Sequence, residues 1–311
     1  MYPILLAACL WGTTGTAQAL AANGVSPVSV GAARIVLGGG LLLALAGCGT
    51  GIRQLAARGR TTWLLLALGA ACVAANQTAF FAAVSRTGVA TGTIVTIGSG
   101  PVFAGLLAAF TGRGRVTTRW ILSTLGAVAG SALLVAGGPA AGVEPFGVAL
   151  AVLSGFGYAS YATVAGYLIG AGEDDRAVLG ALFGGAGLLL LPVLLGSDPG
   201  WLLTGHGLAL SWYLGAVTTT GAYLLYGRGL RTTPVAAATT LTLAEPAVAA
   251  LLGLTVLGEQ LGLSALTGLA LLAGSLLLLL VPAAAPTSAR LVDDSLPRPS
   301  LGSAGQRPPD R

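Results

Sequence analysis

Long apolar runs separated by short polar breaks fill most of this chain. A membrane-crossing helix needs about 20 mostly apolar residues. Ten stretches of that kind follow one another, over 2–22, 28–47, 62–82, 88–110, 118–137, 146–169, 177–196, 207–227, 233–256 and 263–282. The expected fold is therefore an all-α polytopic membrane protein with ten transmembrane helices. After Pro282 the pattern stops. Residues 283–311 are rich in Pro, Ser, Arg and Asp and read as a disordered tail.

Composition agrees with the pattern. Of the 311 residues, 55% are hydrophobic and 8% charged, against about 25% charged in soluble domains. The 49 glycines suit closely packed helices. The pairs Gly126/Gly130 and Gly180/Gly184 have the spacing of helix crossings. Cys9, Cys48 and Cys72 have neither metal nor redox spacing, and nothing in the chain calls for a cofactor. Leu6-Ala7-Ala8-Cys9 resembles a lipoprotein cleavage box, but no basic segment precedes it and the apolar run is too short.

The net charge of +5 does not imply nucleic acid, because the arginines follow topology. With the N-terminus in the cytoplasm, ten spans return the C-terminus to the same side. Arg53, Arg58, Arg60, Arg113, Arg115, Arg119, Arg176, Arg228, Arg231, Arg290, Arg298, Arg307 and Arg311 then all lie inside. Arg86 alone falls in an outer loop, and Arg34 lies within a span. The opposite orientation reverses this bias, so the positive-inside rule predicts both termini cytoplasmic and a multi-pass protein of the cell membrane.

The halves of the chain resemble one another at an offset of about 145 residues. Arg86-Thr87-Gly88-Val89-Ala90 aligns with Thr232-Thr233-Pro234-Val235-Ala236. Gly100-Pro101-Val102 aligns with Glu245-Pro246-Ala247, and Leu125-Gly126-Ala127-Val128-Ala129-Gly130-Ser131 with Leu269-Ala270-Leu271-Leu272-Ala273-Gly274-Ser275. Residues 1–140 and 145–282 would thus form two repeats of five helices. An odd number of spans gives the repeats opposite orientations in the membrane. Many secondary transporters have this inverted-repeat design, with substrate held near the midplane where the repeats meet.

Glu245 stands in the apolar run Thr239–Leu252 and is followed by Pro246. A charge at membrane depth costs roughly 2.5–3.5 kcal/mol or more, so Glu245 is expected to face a cavity or a partner. Pro246 and Pro101 lack an N–H and are expected to kink spans nine and four. Other polar and aromatic groups within spans are candidates for a substrate pathway. Trp11, Thr14 and Gln18 share a face of span one. Asn76, Gln77 and Phe80 lie in span three, Tyr158 and Tyr161 in span six, and Tyr223 and Tyr226 in span eight. In the repeat alignment Gln77 falls opposite Tyr223 and Phe80 opposite Tyr226. Arg34 lies only about two turns into span two and is expected to snorkel to the outer interface, although a guanidinium also suits a substrate carboxylate or phosphate.

Ten spans in two repeats, an apolar-Glu-Pro-apolar stretch in span nine, and Leu257-Gly258-Glu259-Gln260-Leu261 after it resemble the drug/metabolite transporter superfamily, and within it the EamA group. Leu10-Trp11-Gly12 and Arg34 add to the resemblance, which covers residues 1–282. The chain departs from the pattern at Gly112-Arg113, where the family usually has Gly-Glu. The resemblance implies a small-molecule carrier, commonly an exporter of amino acids or related metabolites.

The expected function is thus a secondary transporter, an exporter of a small metabolite working by alternating access. Glu245 would be the proton-coupling or amine-binding group. The expected partners are a small-molecule substrate and the lipid bilayer, not nucleic acid, and the protein would act as a monomer or homodimer. An uncoupled facilitator is the first alternative. An intramembrane serine hydrolase is the second, since Ile97-Gly98-Ser99-Gly100 loosely resembles a nucleophile turn. No base is evident near Ser99, no metal-binding cluster is visible, and the one histidine, His206, falls in a loop. The expectation is no enzyme.

Overall fold

The computed structural model describes residues 1–21, 25–112, 117–135, 144–258 and 262–280. The expected tail over 283–311, the Glu259-Gln260 pair and Arg113 lie outside the described residues. Among the described residues every regular element is helical. In chain order these are α1 (Tyr2–Ala21), α2 (Pro27–Gly47), the short α3 (Gly51–Ala56), α4 (Arg60–Phe110), α5 (Thr118–Val135), α6 (Pro145–Gly170) and α7 (Asp175–Gly196). A 3-10 turn (Pro199–Leu203) precedes α8 (Gly205–Trp212), a π-helical stretch (Tyr213–Gly221), α9 (Ala222–Leu230), α10 (Val235–Leu241), α11 (Ala244–Val256) and α12 (Leu263–Leu280).

Local chemistry explains the boundaries. Pro27 and Pro145 open α2 and α6, where a missing N–H leaves no bond unmade. Asp174 caps α7 by accepting from the Ala177 N–H at 2.9 Å, and Thr204 caps α8 by accepting from Gly207 at 3.1 Å. Within α4 the one non-helical residue is Gly88, at φ 80° and ψ 159°, a region open to glycine and hardly to other residues. Spans three and four are therefore joined by a single-residue break, and the helix of span three runs past its expected end at residue 82. Pro101 lies inside the second limb of α4.

Span nine is broken at Thr242-Leu243, within a turn of Pro246. The Leu243 N–H bonds to the Thr240 carbonyl at 3.1 Å, and the Glu245 N–H to the Thr242 carbonyl at 3.0 Å. Both are tightened, three-residue bonds. The carbonyl that Pro246 cannot satisfy is taken by Glu245 instead. Span eight is one run with a widened middle. There the Thr219 and Thr220 hydroxyls donate to carbonyls five residues back, at 2.8 Å and 2.9 Å.

Among the described residues, seven stretches are long and apolar enough to cross a membrane: Pro27–Gly47, Arg60–Gly88, Gly92–Phe110, Pro145–Gly170, Asp175–Gly196, Val235–Val256 and Leu263–Leu280. The other three expected spans are helical at α1, at α5 and over α8 to α9. The exterior is apolar. On α7, Leu188 is 70% exposed and Leu195 64% exposed, while Leu179, Leu182 and Phe183 are buried. Water would penalise that outer face, whereas lipid does not.

The helices pack as α4 along α6, α2 along α7, α5 along α12, and α1 against α9 and α11. Small residues allow close approach. A side chain on Gly130 would meet the Gly268 carbonyl at 2.7 Å, and one on Gly180 the Leu42 carbonyl at 2.9 Å. Both glycine pairs singled out by spacing therefore lie on helix crossings, α5 with α12 and α2 with α7.

Candidate binding cavity

A cavity of about 420 Å3 opens between α1, α2, α4, α6, α9 and α11. Ten of the eleven expected pathway residues line it. Trp11, Thr14 and Gln18 come from α1, and Asn76, Gln77 and Phe80 from α4. Tyr158 and Tyr161 come from α6, Tyr223 from α9 and Glu245 from α11. Tyr226 does not line it. It is fully buried behind the wall, with its ring 5.6 Å from Trp11 and 6.2 Å from Tyr223 between centroids.

The aromatic side of the cavity is a continuous stack. Trp11 lies 5.0 Å from Tyr223, Tyr158 lies 5.4 Å from Tyr161, and Phe183 packs behind Tyr223 at 3.9 Å. The Tyr161 and Tyr223 hydroxyls are 2.9 Å apart. The Tyr158 hydroxyl is 2.9 Å from Thr242 Oγ1. Thr242 Oγ1 is also 2.8 Å from the Thr239 carbonyl, to which it can donate. This floor closes the cavity towards Tyr226, Ile4 and Leu230, which are buried beneath it. In the other direction the lining reaches Gln18, Pro27, Val84 and Thr93. These sit where α1 ends, α2 begins and α4 breaks.

The two amides of α4 have different environments. Asn76 Nδ2 donates to the carbonyl and hydroxyl oxygens of Ser154 at 2.9 and 3.0 Å, so this amide is occupied in joining α4 to α6. Among the described residues Gln77 makes a single long contact, 3.5 Å to Asn76 Oδ1, and is the freer of the two.

Arg34 does not snorkel away from the interior. It lines the cavity, and its Nε is buried without a hydrogen-bond partner among the described residues. The reason lies in packing. A side chain on Gly38 would meet the Gly215 carbonyl at 2.8 Å, and one on Gly39 would meet the Phe183 carbonyl. Arg34 lies one turn before Gly38 on the same face of α2, so the face that packs against the π-helical stretch carries Arg34 into the bundle, where it lines the cavity. Trp11 Nε1 and Thr14 Oγ1 are likewise buried without partners among the described residues. Among the described residues neither Arg34 nor Glu245 forms an ion pair, so a cation and an anion face one space unpaired. Phe81, Thr96 and Thr242 also line it. Thr242 was legible as the residue three before Glu245; Thr96 carried no signal beyond being polar.

Ion pairs lie at the two ends of the bundle. Arg231 Nη2 is 2.6 Å from Asp175 Oδ1, and Arg58 Nε is 2.7 Å from Glu173 Oε1. Hydrogen bonding and charge from Asp175 push Arg231 further up from the ordinary arginine range. Beside the Gly88 break, Arg86 Nη1 is 2.8 Å from Glu144 Oε1. Ser99 Oγ donates to the Thr96 carbonyl at 3.2 Å, and His206 is exposed at the start of α8, so no nucleophile–base pair forms there.

A spanning helical bundle around a cavity with charged and polar groups in a largely apolar wall is the build of a membrane carrier, and comparison with known proteins agrees. The profile of the EamA-like transporter family matches residues 2–136 and 145–281. The chain belongs to this family and is a membrane transporter, not an enzyme. It is 38% identical over 283 residues to a protein of Bacillus subtilis (strain 168) named as the uncharacterized transporter YwfM, covering 91% of this chain and 93% of that one. A solved crystal structure, 21% identical, superposes with a TM-score of 0.74 over 88% of this chain and 94% of its own. It is alike in fold.

Proposed function

We propose that the protein is a secondary transporter that exports a small metabolite, such as an amino acid or related compound, across the cytoplasmic membrane by alternating access. Ten spans would form two inverted repeats, over 1–140 and 145–282, with both termini cytoplasmic. The packing supports this reading. Exchanging each span for the one five places on turns the contact of span one with spans eight and nine into that of span six with spans three and four. The pairs two–seven and five–ten map onto themselves. The Gly88 break falls opposite Pro234, which precedes α10.

The observation that carries the proposal is the placement of Glu245 on the wall of a cavity that both halves build. A carboxylate there can hold a proton or a substrate ammonium, but not both at once. That exclusion is a means of driving export with an inward proton gradient. The helix breaks at Gly88 and Thr242-Leu243 are the natural bending points. Purified protein in sealed vesicles, loaded with a pool of amino acids and metabolites, tests the reading. Selective efflux of one compound, faster with an imposed pH gradient, is expected. Flux insensitive to any gradient would make the protein a facilitator, and the absence of any flux would sink the carrier reading.

A further inference from the structure

A second cavity, of about 440 Å3, opens on the outside of the bundle and shares no lining residue with the central one. Its floor is a stripe of α2, where Ala33, Leu37, Gly40 and Leu41 recur at helical spacing. At 1.5 Å per residue the stripe is about 12 Å long. Leu194 near the end of α7 forms one wall, and Leu208 and Trp212 of α8 form the other. Leu202 of the 3-10 turn closes one end. That turn fixes the width of the groove. Trp201 Nε1 donates to Ser29 Oγ at 2.8 Å, and Trp201 and Leu202 pack on Ala32, Ala33 and Leu194. The Thr204 cap then starts α8, which is set down on α2 and the π-helical stretch. The groove is what lies between α8 and the end of α7.

Chemistry and depth select the occupant. The lining side chains are hydrocarbon apart from the Trp212 indole nitrogen and the Ser211 hydroxyl, and that hydroxyl donates to the Gly207 carbonyl at 2.8 Å. An ordered water needs about two to four polar partners, so water does not suit the groove. Left empty, its walls forfeit dispersion contacts. The rim is continuous with the lipid-facing surface, since Leu195 is 64% and Leu208 52% exposed. The stripe starts less than two turns inside α2, and its length matches about one leaflet of a hydrocarbon core ~30 Å thick.

We infer that this groove binds one acyl chain of a membrane phospholipid, in the leaflet at which α2 begins, the outer one in the orientation proposed above. The site does not depend on the carrier reading, but it backs onto the same helix. Leu37 lies over the π-helical stretch, where a Cβ on Gly215 would meet Leu37 Cδ2 at 2.8 Å. Arg34, three residues earlier, lines the central cavity. A bound chain therefore braces the contact of α2 with span eight from the lipid side.

The test uses full-length protein in nanodiscs of phosphatidylethanolamine and phosphatidylglycerol, doped with a phosphatidylcholine that carries a photoreactive diazirine in mid-chain. Adducts are mapped by mass spectrometry after irradiation. Leu202, Leu208 and Trp212 should be labelled about fivefold or more above Leu188 and Leu271, which are exposed and apolar but lie outside the groove. G40F fills the floor. A Cβ on Gly40 meets nothing within 4 Å, so Tm should hold. Labelling in the groove should be lost, and that of Leu188 and Leu271 should stay. G40L serves if G40F does not fold. Equal labelling of groove and reference residues overturns the inference, as does unchanged groove labelling in a folded G40F or G40L. Photobleaching steps of singly tagged protein in the same membranes address a second copy as occupant. G40F should leave the step count unchanged. A wild-type dimer that G40F separates would make the groove a subunit interface and overturn the inference. None of these readouts needs a transported compound, so the carrier reading stands or falls separately.

Discussion

The Tyr158 hydroxyl lies 2.9 Å from Thr242 Oγ1 and so ties α6 to the residue at which span nine is broken. The contact joins a cavity wall to the helix break three residues before Glu245. Y158F removes the hydroxyl but keeps the ring. The expected cost in stability is about 1 kcal/mol, typical of one hydrogen bond, read as a small fall in Tm. The larger effect is expected on turnover, with substrate affinity nearly unchanged. A fall in affinity with unchanged turnover would place Tyr158 in substrate contact and not at the hinge.

Glu245 is expected to carry the gradient response. E245Q keeps the volume and removes the charge. Efflux from vesicles should become independent of an imposed pH gradient. Unchanged gradient-driven flux in this variant would remove Glu245 from coupling.

Gly12 and Gly15 sit one turn apart on α1 and predict opposite outcomes. A Cβ on Gly12 would meet Val248 Cβ at 2.7 Å and the Glu245 carbonyl at 2.8 Å, both too close, whereas one on Gly15 meets nothing within 4 Å. G12A should push α1 from α11 and destabilise by about 1–3 kcal/mol, as overpacking does. G15A should leave Tm unchanged or raise it, since alanine favours helix by roughly 0.5–1 kcal/mol. G15L should fill headroom and slow export of larger substrates more than smaller ones. Equal Tm values for G12A and G15A would contradict this crossing.

The Arg231–Asp175 pair closes the end of the bundle beneath the aromatic floor. Asp175 is 6% exposed but Arg231 is 52% exposed, so solvent screens the pair and its contribution is modest, about 1 kcal/mol. D175N should loosen this end. A cysteine introduced at Leu230, in a background free of Cys9, Cys48 and Cys72, should react faster with a membrane-permeant thiol reagent when D175N is present. Equal labelling rates would show that apolar packing alone seals this face.

Much of the molecule is legible in sequence because its first-order physics is local. An apolar run of span length becomes a helix wherever it stands, since no other backbone form satisfies itself in lipid. Proline and glycine mark its starts and breaks. The same physics picks out Glu245 and the polar residues of spans one, three, six and eight, because such groups must turn away from lipid. What only the tertiary structure decided is which neighbour each inward face meets. Arg34 was close enough to a helix end to snorkel, but it shares a face of α2 with Gly38, and the packing of that face against the π-helical stretch holds it at the cavity instead. Asn76 and Gln77 are adjacent and chemically alike, yet Ser154 occupies one and leaves the other nearly free. Tyr226 follows Tyr223 by three residues and still falls behind the wall. These outcomes depend on contacts between residues far apart in the chain, and helical periodicity carries no information about them.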